Sequence, residues 1–222
     1  MLFTDTASRV LNGHNHVSPG TRARVLATIN KLDFRPHAQA RRIVSRRSGM
    51  VCFLLSNRDF LHSFHARILQ GVETYASSLR QHVVFAAVHY DEKTPVGEIL
   101  LPPILQERGW ADGLILAGTI YPNFMERIRS VRVPFVTFGT NVIGPERLRR
   151  FDQVSFDGAK AEFEVTRYVA RHGHRVIAFV GDTHYPWFQH RLQGYLRAMR
   201  KLGFGPVILA ERREETFQAY GE

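Results

Sequence analysis

One cysteine in 222 residues leaves no partner for an intrachain disulfide, so packing and hydrogen bonds must hold the fold. That residue, Cys52, sits in the apolar run Met50–Leu55, the setting of a buried structural thiol rather than a nucleophile. No apolar run approaches the ~20 residues that span a bilayer, and the first residues lack the basic-then-apolar pattern of a secretory signal. These absences predict a soluble, cytoplasmic protein with no membrane partner. Also missing are a P-loop, a G-x-G-x-x-G turn and a nucleophile elbow. Histidine is plentiful, and His14/His16, His62/His65 and His172/His174 lie two or three residues apart. None has the cysteine or carboxylate company that a zinc site needs, so they read as surface or capping residues. No catalytic residue, metal or cofactor is expected.

What the chain does have is basic charge, unevenly placed. The formal net charge is +10. Between Met1 and Gly49 nine Lys/Arg face two acids, Asp5 and Asp33, a net of +7, and the remainder is close to neutral. A basic segment ahead of a near-neutral body points to a polyanion-binding arm joined to another module. With 44% hydrophobic residues, the body can bury a sizeable core.

The stretch Thr6–Ser18, TASRVLNGHNHVS, has the pattern of a helix-turn-helix recognition helix running into a turn. Thr6, Ser8 and Asn12 are short polar groups suited to phosphate oxygens, and Arg9 can reach a base edge. Ala7, Val10 and Leu11 supply the inward face. An ordinary amphipathic helix would show the same mix. A recognition helix needs a partner helix to bury that face, and the five residues before Thr6 are too few to make one, so either the start is truncated or the chain has lost the partner. Ser18 followed by Pro19 is an N-cap and first-turn signal for a second helix, to about Leu32, with Val25, Leu26 and Ile29 at helical spacing. Asp33–Pro36 breaks it. The segment 36–49, HAQARRI followed by SRRSG, reads as a hinge, or equally as a solvated basic linker.

From Met50 the pattern alternates. Strands are expected at Met50–Ser56, His82–His89, Gly113–Ala117, Pro134–Gly139, Gln153–Phe156, Val176–Gly181 and Val207–Ala210. Helices are expected at Ser63–Leu79, Val96–Gln106, Pro122–Val131, Ala159–Arg171 and His190–Leu202. Such alternation predicts an α/β fold with a parallel sheet covered on both faces, binding ligands beyond the carboxyl ends of its strands.

TASRVLNG with HVSPGTRARVLATINKLDFRP, then RPHAQARRI, DGLILAG, VPFVTFG, VSFDG, HGHRVIAFVGD and HRLQGYLRAMRKLG, resemble in order successive pieces of the LacI/GalR bacterial transcriptional repressors. The resemblance implies a partial helix-turn-helix DNA-binding domain (1–35) and a hinge helix with linker (36–49). A periplasmic-binding-protein-like doubly wound parallel-sheet sensor core follows, as an N-subdomain (50–156) and an incomplete C-subdomain (157–222). It further implies a homodimer on double-stranded operator DNA, controlled by a small-molecule, sugar-like effector. By motif position Thr4 and Asp5 fall among base readers, though Asp5 serves as well as an N-cap. Thr6, Ser8, Asn12, Ser18, Thr21 and Arg22 fall among the DNA contacts, with Arg9 on a base. His37, Ala40 and Arg41 fall on the hinge, and Ile43 matches an apolar minor-groove wedge. In the sensor, His62, Ser63 and Phe64 match a cleft loop, and Arg191 matches an arginine holding an effector's hydroxyls or carboxylate. Asp157 either lines the cleft or begins the crossover into the second subdomain. Gly139 stands where many sugar-responsive members place an Asp.

Overall fold

The computed structural model describes residues 6–7, 9–10, 17–32, 47–59, 63–106, 109–139, 141–144 and 151–209. It separates into two units, Met1–Arg46 and Arg47–Glu222. In the first, Thr6, Ala7, Arg9 and Val10 are helical, and Val10 is buried while Arg9 is exposed. Helix α1 spans Pro19–Lys31. It starts where it does because Ser18 accepts the Thr21 amide at 3.3 Å, and proline can occupy the first turn, where no intrahelical N–H partner is lost. Thr21, Arg22, Val25 and Ile29 form its half-buried face, and Leu26 lies on the exposed side.

The second unit is built on five parallel strands in the order β2-β1-β3-β4-β5. Strand β1 is Met50–Ser56, β2 His82–Val88, β3 Gly113–Gly118, β4 Phe135–Phe138 and β5 Asp152–Val154. Helix α2 (Ser63–Ser78) packs Ile68, Leu69 and Val72 against Phe53, Leu55 and Ala117 on one face. On the other face, Leu105 of the short helix α3 (Pro103–Gln106) and Phe124, Met125 and Ile128 of α4 (Pro122–Val131) cover Cys52, Leu54, Leu114 and Leu116. Strand β1 is therefore buried on both sides, which is why its sequence is a continuous apolar run rather than an alternating one.

The helix expected over Val96–Gln106 is instead a 3-10 turn at Val96–Glu98 followed by α3. Pro102 and Pro103 explain the break, since neither offers an amide hydrogen and each pushes its predecessor out of helical geometry. Conversely, the helix expected from His190 begins four residues earlier. Helix α6 runs Pro186–Leu202, with Pro186 in its first turn. Proline there marks a start, not an interruption.

The chain leaves the sheet after β5 and enters α5 (Gly158–Arg171), then β6 (Ala178–Val180), α6 and β7 (Val207–Leu209). Strands β6 and β7 pair in parallel as a separate two-stranded sheet. Tyr195 of α6 is buried against it. Its hydroxyl accepts the Val207 amide at 2.8 Å and points its proton at the carbonyls of Ile177, 2.7 Å, and Val207, 3.1 Å. Two strands alone make a weak sheet, and this phenol ties both to the helix that covers them.

Candidate functional site

In the first unit, Ser18 and Thr21 are committed to the helix start. Besides accepting the Thr21 amide, the Ser18 hydroxyl donates to Thr21 Oγ1 at 2.9 Å. Arg22 lies on the half-buried face of α1 and Thr6 is half-buried, whereas Arg9 is exposed. Thr4, Asp5, Ser8, Asn12, His37, Ala40, Arg41 and Ile43 lie outside the described residues, as does His62 of the expected cleft loop.

In the second unit every strand of the large sheet runs the same way, so all five carboxyl ends fall on one edge. The order reverses between β1 and β3, the switch point at which open α/β sheets leave a crevice. There the floor is sealed by hydrogen bonds. Ser56, at the end of β1, donates to the Thr119 carbonyl at 2.6 Å. Its proton being committed, the Tyr90 hydroxyl donates to Ser56 Oγ at 2.9 Å and accepts the Tyr121 amide at 3.2 Å. Burial pushes this phenol up to about 12, so it stays protonated through the neutral range. Strands β1 and β3 approach so closely that a Cβ on Gly118, whose φ is +87°, would stand 2.1 Å from the Ser56 carbonyl oxygen.

Further along the same edge three phenylalanines meet. Phe64, in the first turn of α2, lies 6.2 Å from Phe138 at the end of β4 and 6.3 Å from Phe156 beyond β5, ring centre to ring centre. Phe64 and Phe156 remain 42% and 46% exposed. Such exposure is unusual for large rings gathered in one place. Ser63 beside them is exposed.

Arg191 reaches this group from α6. A Cβ built on Gly158 would lie 3.6 Å from Arg191 Cγ and 3.9 Å from Phe156 Cε2, so the arginine stem and the ring flank one glycine. The guanidinium stands 5.9 Å from the centre of the Phe188 ring. Burial raises the Glu162 carboxyl above its ordinary value, and the nearby Arg191 charge partly opposes this. Asp157 caps α5, its Oδ1 accepting the Lys160 amide at 2.8 Å.

Phe64, Asp157 and Arg191 are thus brought to one edge, whereas the sequence alone singled out neither Phe138 nor Phe156. Each ends or follows a parallel strand, in VTFG and VSFDG, and that position was the available signal. Arg58, Tyr185 and Trp187 carried none. Arg58, just past β1, lies 5.3 Å and 5.1 Å from the ring centres of Tyr185 and Trp187 at the start of α6. Among the described residues no group of three or more potential metal ligands is found, and no helix is long and apolar enough to cross a membrane.

A five-stranded parallel sheet wound on both faces, leading into a second βα lobe, defines a periplasmic-binding-protein-like sensor fold. The solved Lac repressor dimer bound to operator and the anti-inducer ONPF has this fold, matching with a TM-score of 0.65 at 21% identity over 92% of this chain and 60% of its own. A periplasmic binding protein/LacI transcriptional regulator from Alkaliphilus metalliredigens, complexed with D-xylulofuranose, matches with a TM-score of 0.59 at 13% identity over 78% and 60%. Residues 4–37 match the bacterial regulatory proteins of the lacI family. Catabolite control protein A of Priestia megaterium is 29% identical over 201 residues, 89% of this chain and 58% of the relative. The NTD biosynthesis operon regulator NtdR of Bacillus subtilis is 31% identical over 198 residues, 88% and 56%. The chain belongs to the LacI/GalR family, and it spans a little over half the length of these curated relatives.

Proposed function

We propose that this protein is a sequence-specific DNA-binding transcriptional regulator of the repressor type, whose operator affinity is set by a small-molecule effector bound at the carboxyl edge of the large sheet. One observation carries the reading: a basic helical unit matching a DNA-binding family model is joined to a sensor fold whose cleft edge presents exposed rings beside Arg191. The net +7 of the first 49 residues supports phosphate contact, with Arg9 on a base edge and Ile43 wedging a base step at the operator centre. Effector binding shifts the two sensor lobes between two arrangements, and the hinge transmits that shift to the DNA-binding unit.

A homodimer is part of this proposal. One face of α2 forms a shallow groove lined by Arg67, Gln70, Thr74 and Tyr75, with Tyr75 69% exposed. The occupant we assign to it is the same face of a second copy, related by a two-fold axis that matches a pseudo-palindromic operator.

The test is DNA binding across a salt series with a pool of randomised palindromic duplexes. A symmetric enriched site, with affinity falling steeply as salt rises, is the expected result. Ile43→Ala should weaken binding to that site more than to random DNA, and equal losses on both would refute the wedge. A second reading, a ligand-binding module without competent DNA recognition, is favoured by one feature: none of the residues of α1 is fully buried. Weak, sequence-independent binding at all salts would select it.

A further inference from the structure

The effector's identity is open in the reading above, and the chemistry of the cleft edge narrows it. Three rings, Phe64, Phe138 and Phe156, meet at tilted and edge-on angles of 52° and 75° rather than stacked, and Phe64 and Phe156 stay 42% and 46% exposed. Beside them Gly139 is buried, yet a Cβ placed on it would meet no atom of the described residues within 4 Å outside its chain neighbours. Its φ of +82° disfavours any side chain at this position. Thr137 Oγ1 and the side-chain amide of Asn141 are buried with no hydrogen-bond partner among the described residues, while two exposed polar groups nearby are engaged. Gln153 donates its amide to the Gly139 carbonyl, and Asp157 Oδ1 caps α5.

Arg191 differs from those two. It is half-buried, and its guanidinium makes no hydrogen bond or ion pair among the described residues, its contacts being the Phe188 ring and the field of Glu162. Five N–H donors in a planar fork, partly withdrawn from water and with no hydrogen-bond acceptor among the described residues, fit a carboxylate. A polyhydroxylated sugar placed here would turn several hydroxyls toward phenylalanine rings that can neither donate nor accept. A flat apolar body would lose nothing in the same place and would gain ring–ring contact.

We propose that this edge binds a ligand with an aromatic or comparably flat apolar body and one carboxylate, the body among Phe64, Phe138 and Phe156 and the anion on Arg191. The proposal rests on the reading of this edge as the effector site and supplies its ligand class.

Calorimetric titration of the 222-residue chain with benzoate and phenylacetate tests it, with benzyl alcohol, glucose and cellobiose as comparisons. The acids should bind, and benzyl alcohol, which has the ring without the charge, should bind at least about tenfold more weakly. Phe156→Ala should weaken the acids by a similar factor. That ring is half exposed, so its truncation leaves the core intact. Arg191→Gln should erase the preference for acid over alcohol, and Arg191→Lys should restore part of it. Equal binding of acid and alcohol, indifference of the acids to Phe156→Ala, tighter binding of either sugar, or no acid binding at millimolar concentration would each overturn the ligand class. Operator affinity measured on the same samples separates the two ideas. If a sugar rather than an acid shifts it, the ligand class fails and effector control stands. If the acids bind and operator affinity does not move, the ligand class stands and effector control fails.

Discussion

The Arg58 guanidinium lies 5.1 Å from the centre of the Trp187 ring, and Trp187 itself stacks on Tyr185 at 4.5 Å with 16° between their planes. Arg58 lies two residues past the end of β1, and the two rings flank the start of α6, so a cation over two aromatic faces bridges the five-stranded lobe and the smaller one. A contact of this kind is worth roughly 0.5–1 kcal/mol where water has access. That is enough to bias the spacing of the lobes and too little to lock it.

Arg58→Ala is therefore expected to loosen the lobes without unfolding either. With Trp110→Phe as background, Trp187 is the sole indole. Its fluorescence should become more accessible to acrylamide in Arg58→Ala and less so in Arg58→Lys. Identical quenching in all three proteins would mean the contact does not hold the lobes together.

Helices α5 and α6 cross at a glycine. A Cβ on Gly194 would stand 2.0 Å from the Ala159 carbonyl oxygen, a backbone atom that cannot swing aside. Gly194→Ala should cost at least about 2 kcal/mol, read as a lower urea midpoint for the smaller lobe. Gly71→Ala in α2 is the control. A Cβ there meets nothing within 4 Å, and helix propensity should add about 0.5–1 kcal/mol.

Asp112 ties the entry of β1 to β3. Its carboxylate accepts the Ser48 amide at 2.7 Å, the Gly49 amide at 2.8 Å and the Ser48 hydroxyl at 3.1 Å. Burial pushes this carboxyl up, but those hydrogen bonds and the Arg47 charge outweigh it and hold the group below its ordinary 3.8. A depressed folded value stabilises the protein above pH 3.8, and that contribution disappears as pH falls through the folded value. Asp112→Asn should thus be less stable than the parent near neutrality, with the gap narrowing in acid. A gap independent of pH would show that the charge is irrelevant.

Tyr195→Phe removes the hydroxyl that pins β7 and leaves the Val207 amide without that partner. Val207 is exposed, so water can replace the lost partner and the cost is that of one hydrogen bond, about 0.5–1.5 kcal/mol. Hydrogen exchange at the Val207 amide should accelerate accordingly, while exchange in β1 stays unchanged.

Cys52 is fully buried, and desolvation pushes its thiol up to about 11. The thiolate is the reactive form, so an aromatic disulfide reagent at pH 8 should leave it untouched in the folded protein and titrate it fully in denaturant. Rapid reaction in the native state would show that the sheet opens.

Much of this was legible beforehand because it depends on neighbours in the chain. The Ser18–Pro19 helix start, the Met50–Ser56 strand and the Pro122–Val131 helix follow from capping, proline placement and unbroken apolar runs, all local effects. The misreadings were local too. Pro102–Pro103 interrupts a pattern that apolar spacing alone would continue, and Pro186 opens a helix that seemed to begin at His190. At the carboxyl edge of the sheet, Phe64 and Arg191 stand in motifs that single them out, while Phe138 and Phe156 are hidden among other apolar residues of strand ends.

The sequence by itself determined the class: alternating strands and helices, a basic arm, and apolar runs that only a sheet covered on both faces can bury. The tertiary structure alone decided which side chains share a site. Parallel strands deliver their carboxyl ends to a single edge, so Phe64, Phe138 and Phe156, scattered along the chain, converge there. Close helix crossing at Gly194 then brings α6, and with it Arg191, up to the start of α5 and Phe156. Neither meeting is written in local spacing, because both depend on strand order and on how closely two backbones can approach.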